Sequence, residues 1–351
     1  MEILYDYGFR GKILDLLTSY LQNRHQCVKI GDITSGHLPL ITGTPQGTVL
    51  GPILFLLYVN SIFGENCDEN VKILSFADDT VVISTAESWQ LTHTNLEMTI
   101  KNIYDFMNVH KLKLNTTKSK FITFTASRKT QPDNINIKIH AKQCVLSTCA
   151  CSVLTRAQSI TYLGIVLDCN LRWEDHVSQL TNKLRRLQYG FKIMSKICSF
   201  QNLIRLYQSL VQSIISYGLI VWGGCFNSNI VKLQVIQKRI LKIILHKPDR
   251  YPTNLLFSET QILSINQLYH HQICKYIYYH RKDILHIDHH YSTRLNSKLS
   301  SKTDRCYKKI TQCYFKSKIS RIYNTLPENI KNIKSYYSFS KKTKLWIQSY
   351  V

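Results

Sequence analysis

The chain has 351 residues, of which 44% are apolar, and this is enough for two or three domains with their own cores. Its 45 Lys and Arg against 22 Asp and Glu give a formal net charge of +23, which favours a polyanionic partner such as nucleic acid. No apolar run reaches the length of a membrane span, which excludes a membrane-spanning protein and predicts no membrane partner.

The eleven cysteines are scattered along the chain and odd in number. Because the start Met1-Glu2-Ile3-Leu4 does not read as a signal peptide, we expect reduced thiols. The expected location is intracellular, in the nucleus or the cytoplasm, and not secreted. A zinc site is the less favoured alternative, because three groups place Cys or His close together without paired ligand spacing: Cys149 with Cys151, His270 and His271 with Cys274, and Cys306 with Cys313.

A loop rich in glycine and proline is predicted after a helix over 11–21 and strands near 26–30 and 40–41. It covers residues 42–52, and Pro52 suits the first turn of a helix over 53–62. Glycine lets the backbone approach a ligand, and Gln46 can donate or accept a hydrogen bond. A tight strand-to-helix connection without a ligand is the alternative.

Two apolar runs that favour β structure flank Ala77-Asp78-Asp79-Thr80, a pattern that predicts a strand, a tight turn and a second strand. Aspartate is common in turns and rare in strands, so Asp78 and Asp79 are expected at the hairpin tip. Adjacent carboxylates repel, and holding both ionised is favourable mainly where a divalent cation binds between them and a phosphate. Two solvated turn aspartates are the alternative.

Later segments predict a helix over 91–109, a turn at Asn115-Thr116-Thr117-Lys118 with a strand after it, and a hairpin or glycine-bent strand over 160–168. Residues 126–159 are polar and irregular. From Trp173 onward apolar spacing predicts helices over 173–197, 203–219, 230–245 and 261–279.

Basic residues on the predicted helices favour contact with a nucleic-acid backbone, although one such face alone is commonly just solvated. The last segment, 291–351, holds 14 Lys and Arg against two acids, together with the aromatic residues Tyr307, Tyr314, Phe315, Tyr323, Tyr336 and Tyr337. This mixture would allow phosphate contact and base stacking, or it forms a basic, partly disordered end. The candidate backbone contacts on the helices are Lys183, Arg185, Arg186, Lys238, Arg239 and Lys242.

Four blocks follow one another along the chain. They are Thr44-Pro45-Gln46-Gly47 with the helix start 51–55, Phe76-Ala77-Asp78-Asp79, Leu112-Lys113-Leu114-Asn115 with Lys118, and Tyr162-Leu163-Gly164-Ile165. In this order they resemble motifs B, C, D and E (the primer grip) of the palm of a reverse transcriptase, and specifically that of non-LTR retrotransposons of the LINE or jockey-like group. The helices over 173–258 are similar to the thumb of that family, and Tyr323-Asn324-Thr325-Leu326-Pro327 resembles a short signature near the carboxyl end of its open reading frames.

The resemblance implies an α+β fold. A partial palm of antiparallel sheet and packed helices is expected over 1–170, an all-helical thumb over 171–260 and a basic helical extension over 261–351. It also implies RNA-directed DNA polymerase activity with two Mg²⁺ (or Mn²⁺) ions, an RNA template, a DNA primer and deoxynucleoside triphosphates.

In that reading each motif residue takes one role. Asp78 and Asp79 are metal ligands, and Lys118 neutralises or protonates the leaving pyrophosphate. Thr44, Pro45, Gln46, Gly47, Phe76 and Ala77 shape the nucleotide and template pocket, while Tyr162, Leu163 and Gly164 position the primer end.

One part of the family pattern is not matched. Motif A, a strand with a metal-binding aspartate, should precede the segment 7–11, and neither Asp6 nor Asp15 follows a strand of that kind. We expect the fingers of the family to be missing from this chain as well. We therefore expect a polymerase fragment that is inactive as this chain; the alternatives are a non-catalytic nucleic-acid-binding remnant and a remnant with no selected role.

Overall fold

The computed structural model describes residues 1–63, 69–124, 135–139, 151–281 and 315–350. These residues form two compact units, one within 1–121 and 129–157 and the other within 158–351 together with 122–128. Helices and strands are mixed, as the predicted α+β class requires. Cys149, Cys306, Cys313, Tyr307 and Tyr314, which entered the zinc and stacking hypotheses, lie outside the described residues.

The first unit holds four helices and most of the strands that the structure describes. Its helices are α1 (Glu2–Asp6), α2 (Gly11–Leu21), α3 (Leu50–Val59), which continues as a 3-10 turn over Asn60–Phe63, and α4 (Trp89–Val109). Its strands are β1 (Arg24–Gln26), β2 (Lys29–Ile30), β3 (Ile33–Thr34), β4 (Leu38–Leu40), β5 (Val71–Phe76), β6 (Asp79–Ser84), β7 (Lys120–Phe121), β8 (Ile137–Lys138) and β9 (Val153–Arg156).

The strands of the first unit pair into small separate sheets. Three antiparallel pairs form, β1 with β4, β2 with β3 and β5 with β6. The last sheet has the order β7-β9-β8, and its β7–β9 pair is parallel. The single antiparallel palm sheet expected from the sequence is therefore not formed by the described residues, because most of these strands span only two to four residues and share few ladder hydrogen bonds.

The core of the first unit is divided into two small clusters. One joins α1, α2 and α3 through Leu4, Leu17 and Leu54, and the other gathers Phe121, Ile137, Ile139 and Leu154 with side chains of α4. Many apolar side chains of this unit remain exposed, and they include Ile13, Leu16, Ile53, Leu56, Leu74 and Phe76.

The second unit begins with a hairpin and continues as helices around one large core. Its strands are β10 (Ser159–Tyr162) and β11 (Ile165–Asp168). Its helices are α5 (Glu174–Met194), α6 (Phe200–Leu206), α7 (Ser213–Ser216), α8 (Leu219–Trp222), α9 (Asn227–Ile244), α10 (Thr253–Thr260), α11 (Ile265–Tyr279), α12 (Phe315–Thr325), α13 (Glu328–Lys331) and α14 (Tyr336–Tyr350).

The predicted helix over 203–219 is interrupted. A π-helical segment, Tyr207–Gln212, separates α6 from α7, and the chain then turns at Tyr217-Gly218 before α8. Gly218 has φ +60° and packs directly under the Ile165 side chain, where a Cβ would clash. Apolar spacing alone gave no sign of this break, because the flanking segments keep their buried faces in register with one core.

The aromatic residues of the carboxyl-terminal helices divide between core and surface. Tyr323 is only 2% exposed and belongs to the core, so the stacking role suggested for this tail is wrong at Tyr323. Tyr337, by contrast, is 75% exposed. Among the described residues, no helix combines the length and the hydropathy that crossing a membrane requires.

Two buried histidines should make the second unit sensitive to acid. Burial, and secondarily the charge of Lys183, lowers the pKa of His176 from 6.5 to about 4. Burial is also the main cause that lowers the pKa of His271 to about 4. Both groups are neutral in the folded unit and take up protons more readily when unfolded, so their contribution to stability is complete above pH 6.5 and is lost as the pH falls toward 4.

We expect the free energy of unfolding to be level above pH 7 and to fall between pH 6.5 and 5, by the order of 1 kcal/mol for each histidine. Urea titration followed by tryptophan fluorescence measures this, because Trp173, Trp222 and Trp346 lie in the second unit. The double variant His176→Asn/His271→Asn is the control, since its stability should vary less over the same interval. An equal pH dependence in both proteins would contradict the assignment.

Candidate metal and nucleic-acid site

The motif-C-like segment is the tip of the β5–β6 hairpin, as the sequence predicted. Phe76 pairs with Asp79 at the end of the ladder, so Ala77 and Asp78 form the two-residue turn. Phe76, Ala77, Asp78 and Asp79 are all exposed. Behind the tip, the hydroxyl oxygens of Ser75 and Thr80 are hydrogen-bonded across the strands at 2.8 Å. The tip therefore presents two adjacent carboxylates to solvent on a regular hairpin.

The turn itself carries backbone strain. The first central residue of the turn, Ala77, has a positive φ of +52°, whereas φ of the second, Asp78, is not positive. This is the pattern of a type II′ turn, in which glycine is usual at the first central position. A side chain in this region costs about 1–2 kcal/mol. Such strain is characteristic of functional sites, and here it coincides with the two carboxylates.

The motif-B-like loop is held together by a residue that the sequence reasoning missed. The Thr48 hydroxyl donates to the Pro45 carbonyl at 2.9 Å and accepts from the Gly51 amide at 3.1 Å. Tyr20 of α2 donates its hydroxyl to the same Thr48 oxygen at 2.8 Å. The Thr-x-x-Gly spacing resembles an N-cap, and this signal could have identified Thr48 from the sequence.

These contacts fix Thr44, Pro45, Gln46 and Gly47 immediately before α3. Gly47 has φ +71°, a conformation that favours glycine. The helix α3 begins at Leu50, three residues before the predicted start at Ile53, so Pro52 still lies in its first turn. The loop is thus an ordered connection with an exposed amide side chain at Gln46.

Gly51→Ala tests how closely this loop packs on α3. A Cβ at Gly51 would clash with the Pro45 carbonyl oxygen and lie 3.1 Å from the Thr48 hydroxyl oxygen. Because one of these atoms is backbone, we expect a loss of about 1–3 kcal/mol in the free energy of unfolding of the first unit, measured by urea titration. Gly36→Ala is the matched control, since Gly36 has open space around it and should change stability little. Equal effects would contradict the packing.

Lys118 lies in a loop shaped by Asn115. The Asn115 side-chain oxygen accepts from the Thr117 hydroxyl at 2.7 Å and from the Lys118 amide at 3.1 Å. The Lys118 side chain is exposed. In the part of the chain that the structure describes, no hydrogen bond or ion pair joins Lys118 to Asp78 or Asp79.

The hairpin tip offers part of a metal site. Carboxylate oxygens are the donors that Mg²⁺ and Mn²⁺ prefer, and Asp78 and Asp79 supply two such groups side by side. The described residues contain no cluster of three or more His, Cys, Asp or Glu that could hold a metal ion. The donor chemistry fits a divalent cation, but the number of carboxylates falls short of what two ions require.

The primer-grip-like segment is the β10–β11 hairpin of the second unit. Tyr162 pairs with Ile165, and Leu163 and Gly164 form the turn with φ of +47° and +76°. Two positive φ values define a type I′ turn, which matches the twist of a hairpin. Tyr217 donates its hydroxyl to the Leu163 carbonyl at 2.6 Å, and its ring lies where a Cβ on Gly164 would be 3.3 Å away.

The helix that follows the hairpin also holds it in place. Asp168 at the end of β11 accepts hydrogen bonds from the amides of Asn170, Arg172 and Trp173, which direct the chain into α5. His176 accepts from the Val166 amide at 3.3 Å through Nδ1. The turn residues Leu163 and Gly164 are thus supported by the helical unit, and the sequence gave no sign of the Tyr217 contact.

The basic residues of α5 and α9 do not form one surface. Arg185, Arg239 and Lys242 line a cleft of 640 Å³, whereas Lys183, Arg186 and Lys238 do not. The cleft contains further cations that the sequence reasoning did not single out, Lys192, Lys196 and Lys247. The sequence held a signal for Lys192, since 185, 189 and 192 recur at helical spacing on α5; Lys196 lies in the turn after the helix.

Comparison with known proteins defines the class of this chain. Residues 4–167 match the family described as reverse transcriptase (RNA-dependent DNA polymerase), and this range contains the hairpin tip, the Gln46 loop and the Lys118 loop. Residues 4–167 are therefore similar to a reverse transcriptase domain. More particularly, the curated relatives of the chain are polymerases of jockey-like non-LTR retrotransposons.

Curated relatives give that narrower assignment. The chain is 25% identical to the probable RNA-directed DNA polymerase from transposon X-element of Drosophila melanogaster. This alignment spans 239 residues, which is 65% of the chain. It is 24% identical over 242 residues to the RNA-directed DNA polymerase from mobile element jockey of the same species, and 22% identical over 246 residues to that of Drosophila funebris. The alignments span about a quarter of the relatives' length, 24%, 25% and 25% respectively.

Proposed function

We propose that this chain supplies the Asp78-Asp79 half of a two-metal site for RNA-templated DNA synthesis. The supporting observation is the exposed hairpin tip, which holds two adjacent carboxylates on a strained turn within the matched reverse transcriptase segment. In such a site Mg²⁺ or Mn²⁺ ions activate the primer 3′-hydroxyl and stabilise charge on the triphosphate. The substrates are then an RNA template, a DNA primer and deoxynucleoside triphosphates.

The other motif residues take supporting roles in this proposal. Gln46 and Gly47 shape the pocket for the nascent base pair, since their loop is ordered by Thr48 and leaves the Gln46 amide exposed. Lys118 neutralises the leaving pyrophosphate through its positive charge, and its exposed side chain leaves the ammonium accessible. Tyr162, Leu163 and Gly164 position the primer end on a hairpin that Tyr217 supports.

The proposal includes completion of the site by further polypeptide. Two carboxylates are too few for two ions, and α2, α3 and the outer face of the hairpin expose apolar side chains that a larger domain would cover. The outer face of the hairpin includes Leu74, Phe76 and Ile83, which are between 43% and 62% exposed. We therefore expect the 351-residue chain alone to lack polymerase activity.

Primer extension tests the proposal in two arms. The first uses the isolated chain with an RNA template, a DNA primer, the four deoxynucleoside triphosphates and Mg²⁺ or Mn²⁺, and we expect no product. The second uses a chimera in which the part of the jockey polymerase that precedes its aligned region is fused to this chain, and we expect extension. Product from the isolated chain that depends on Asp78 would contradict the incomplete site.

A second candidate function is nucleic-acid binding without catalysis. It is favoured by the net charge of +23 and by the cationic cleft on α5 and α9. This function predicts binding with a steep salt dependence that Asp78→Ala leaves unchanged. If the chimera makes no product while the isolated chain binds RNA in this manner, the second function replaces the first.

A further inference from the structure

The cleft between the carboxyl-terminal halves of α5 and α9 has the chemistry of a binding site. Its volume is 640 Å³, which falls in the range of ligand pockets. Six cationic side chains line it, with Tyr189 among them and Asp249 as an acidic neighbour. The cations are Arg185, Lys192, Lys196, Arg239, Lys242 and Lys247.

Two of the six cations have structural roles. Lys242 donates its ammonium to the Asp249 carbonyl, and Lys247 forms an ion pair with Glu259 at 3.5 Å and lies over the Tyr251 ring. The side chains of the other four, Arg185, Lys192, Lys196 and Arg239, make no ion pair with any residue that the structure describes. Like charges gathered in one concave surface attract a polyanion, because the cleft walls concentrate the field.

Tyr189 adds a second kind of contact. It is 72% exposed, lines the cleft and lies on α5 between Arg185 and Lys192, one turn to either side. A large exposed aromatic ring between cations is the arrangement on which an unpaired base stacks while the adjacent phosphates meet the charges. A duplex keeps its base faces inside the stack, so the ring favours a single strand.

The cleft is separate from the primer-grip-like hairpin. The hairpin meets α5 at His176, near the start of the helix, whereas the cleft lies along the end of the helix from Arg185 to Met194 and the turn that carries Lys196. The helical part is about 14 Å long, enough for a strand to place several phosphates along it. We propose that this cleft binds single-stranded nucleic acid, with a base on Tyr189 and phosphates on the four cations that have no ion-pair partner among the described residues. This inference rests on the proposed nucleic-acid function and deepens it.

The test is equilibrium binding of fluorescent oligonucleotides to the full 351-residue chain in EDTA, without primer or nucleotide. Three probes are used, a 12-mer of U, a 12-mer of dT and a 12-base-pair DNA duplex. We expect both single strands to bind more tightly than the duplex. Tyr189→Ala should weaken their binding about tenfold, whereas Tyr189→Phe, which keeps the ring, should bind like the parent chain.

The charge contribution is tested by the salt dependence. Lys192→Gln/Lys196→Gln should reduce the slope of log affinity against log salt by about 1.4, since two phosphate contacts are removed. Lys232→Gln is the control, because Lys232 is exposed on α9 but does not line the cleft. Circular dichroism verifies the folding of each variant.

Three results would overturn the proposal: Tyr189→Ala binds like the parent chain, the duplex binds at least as tightly as the single strands, or the salt slope does not change. Equal binding of the RNA and DNA single strands supports the proposal, and so does a preference for RNA. A preference for RNA would indicate in addition a contact with the 2′-hydroxyl. Because the assay contains no metal and does not depend on Asp78, its failure would leave the polymerase proposal standing.

Discussion

Asp78→Asn should abolish RNA-templated primer extension by the jockey chimera, with a loss of at least about 10³-fold in rate. Asparagine keeps the size and turn preference of aspartate but removes the charge that a divalent cation requires. Asp78 is exposed at the hairpin tip, so the substitution should leave folding intact. The measurement is single-turnover extension of a labelled DNA primer, with melting temperatures of both chimeras compared.

Asp32→Asn is the matched control for charge and for position in a turn. Asp32 is also exposed and also lies in the turn of a short hairpin, between β2 and β3. We expect the Asp32 variant to extend the primer at the rate of the parent chimera. If both substitutions lower the rate equally, or if Asp78→Asn retains full activity, then the hairpin tip does not hold the catalytic metal.

Among the substitutions proposed here, Trp222→Ala should cause the largest loss in the free energy of unfolding. Trp222 is fully buried, its indole N–H donates to the Tyr217 carbonyl at 3.0 Å, and its ring meets His176 edge-on at 5.4 Å between centroids. Removing a buried tryptophan costs about 3–5 kcal/mol, which corresponds to roughly 10 °C in the melting temperature of a unit of this size. Differential scanning calorimetry measures the shift.

Trp222→Phe separates packing from hydrogen bonding. Phenylalanine retains most of the buried ring and loses the bond to Tyr217, so its cost should be only about 1–2 kcal/mol. The same contact orients Tyr217, which supports the turn at Leu163, so the alanine variant should also loosen the β10–β11 hairpin. Amide hydrogen exchange at Leu163 and Gly164 would report this. An alanine variant that melts close to the parent chain would contradict the packing role.

Elements with strong local patterns could be predicted from the sequence. The helix over Gly11–Leu21 and the Val71–Ser84 hairpin follow from apolar periodicity and from turn residues, which act within a few positions of each other. The long helices α5 and α9 were predicted for the same reason, with ends that differ by one to three residues. The order of the motifs then identified the family.

Features that depend on distant contacts could not be predicted. The π segment at Tyr207 is accompanied by a buried Gln237, whose amide donates to the Tyr207 hydroxyl at 2.9 Å, a partner 30 residues away. Tyr217 and Leu163 are likewise far apart in sequence. The cationic cleft arises only because the ends of α5 and α9 lie side by side, so its lysines carried no signal beyond helical spacing.

The assignment of one part of the chain to a palm and another to a thumb remains a prediction. In the sequence, the boundary between the two compact units falls at 157/158, and the β10–β11 hairpin belongs to the second unit. Its contacts with Tyr217 and His176 explain that placement, because both partners belong to the helical core. The motif E hairpin therefore folds with the helices that the family resemblance assigns to the thumb.

The most direct test of the metal-site proposal is a crystal structure of the chimera with Mn²⁺, a primer–template and an unreactive nucleotide. Anomalous scattering locates the ion independently of any assumption about its ligands. We predict a Mn²⁺ peak about 2.0–2.3 Å from an Asp78 carboxylate oxygen, with a further carboxylate from the fused segment as a ligand. Mn²⁺ bound elsewhere, with no ion at the Asp78-Asp79 tip, would contradict the proposal.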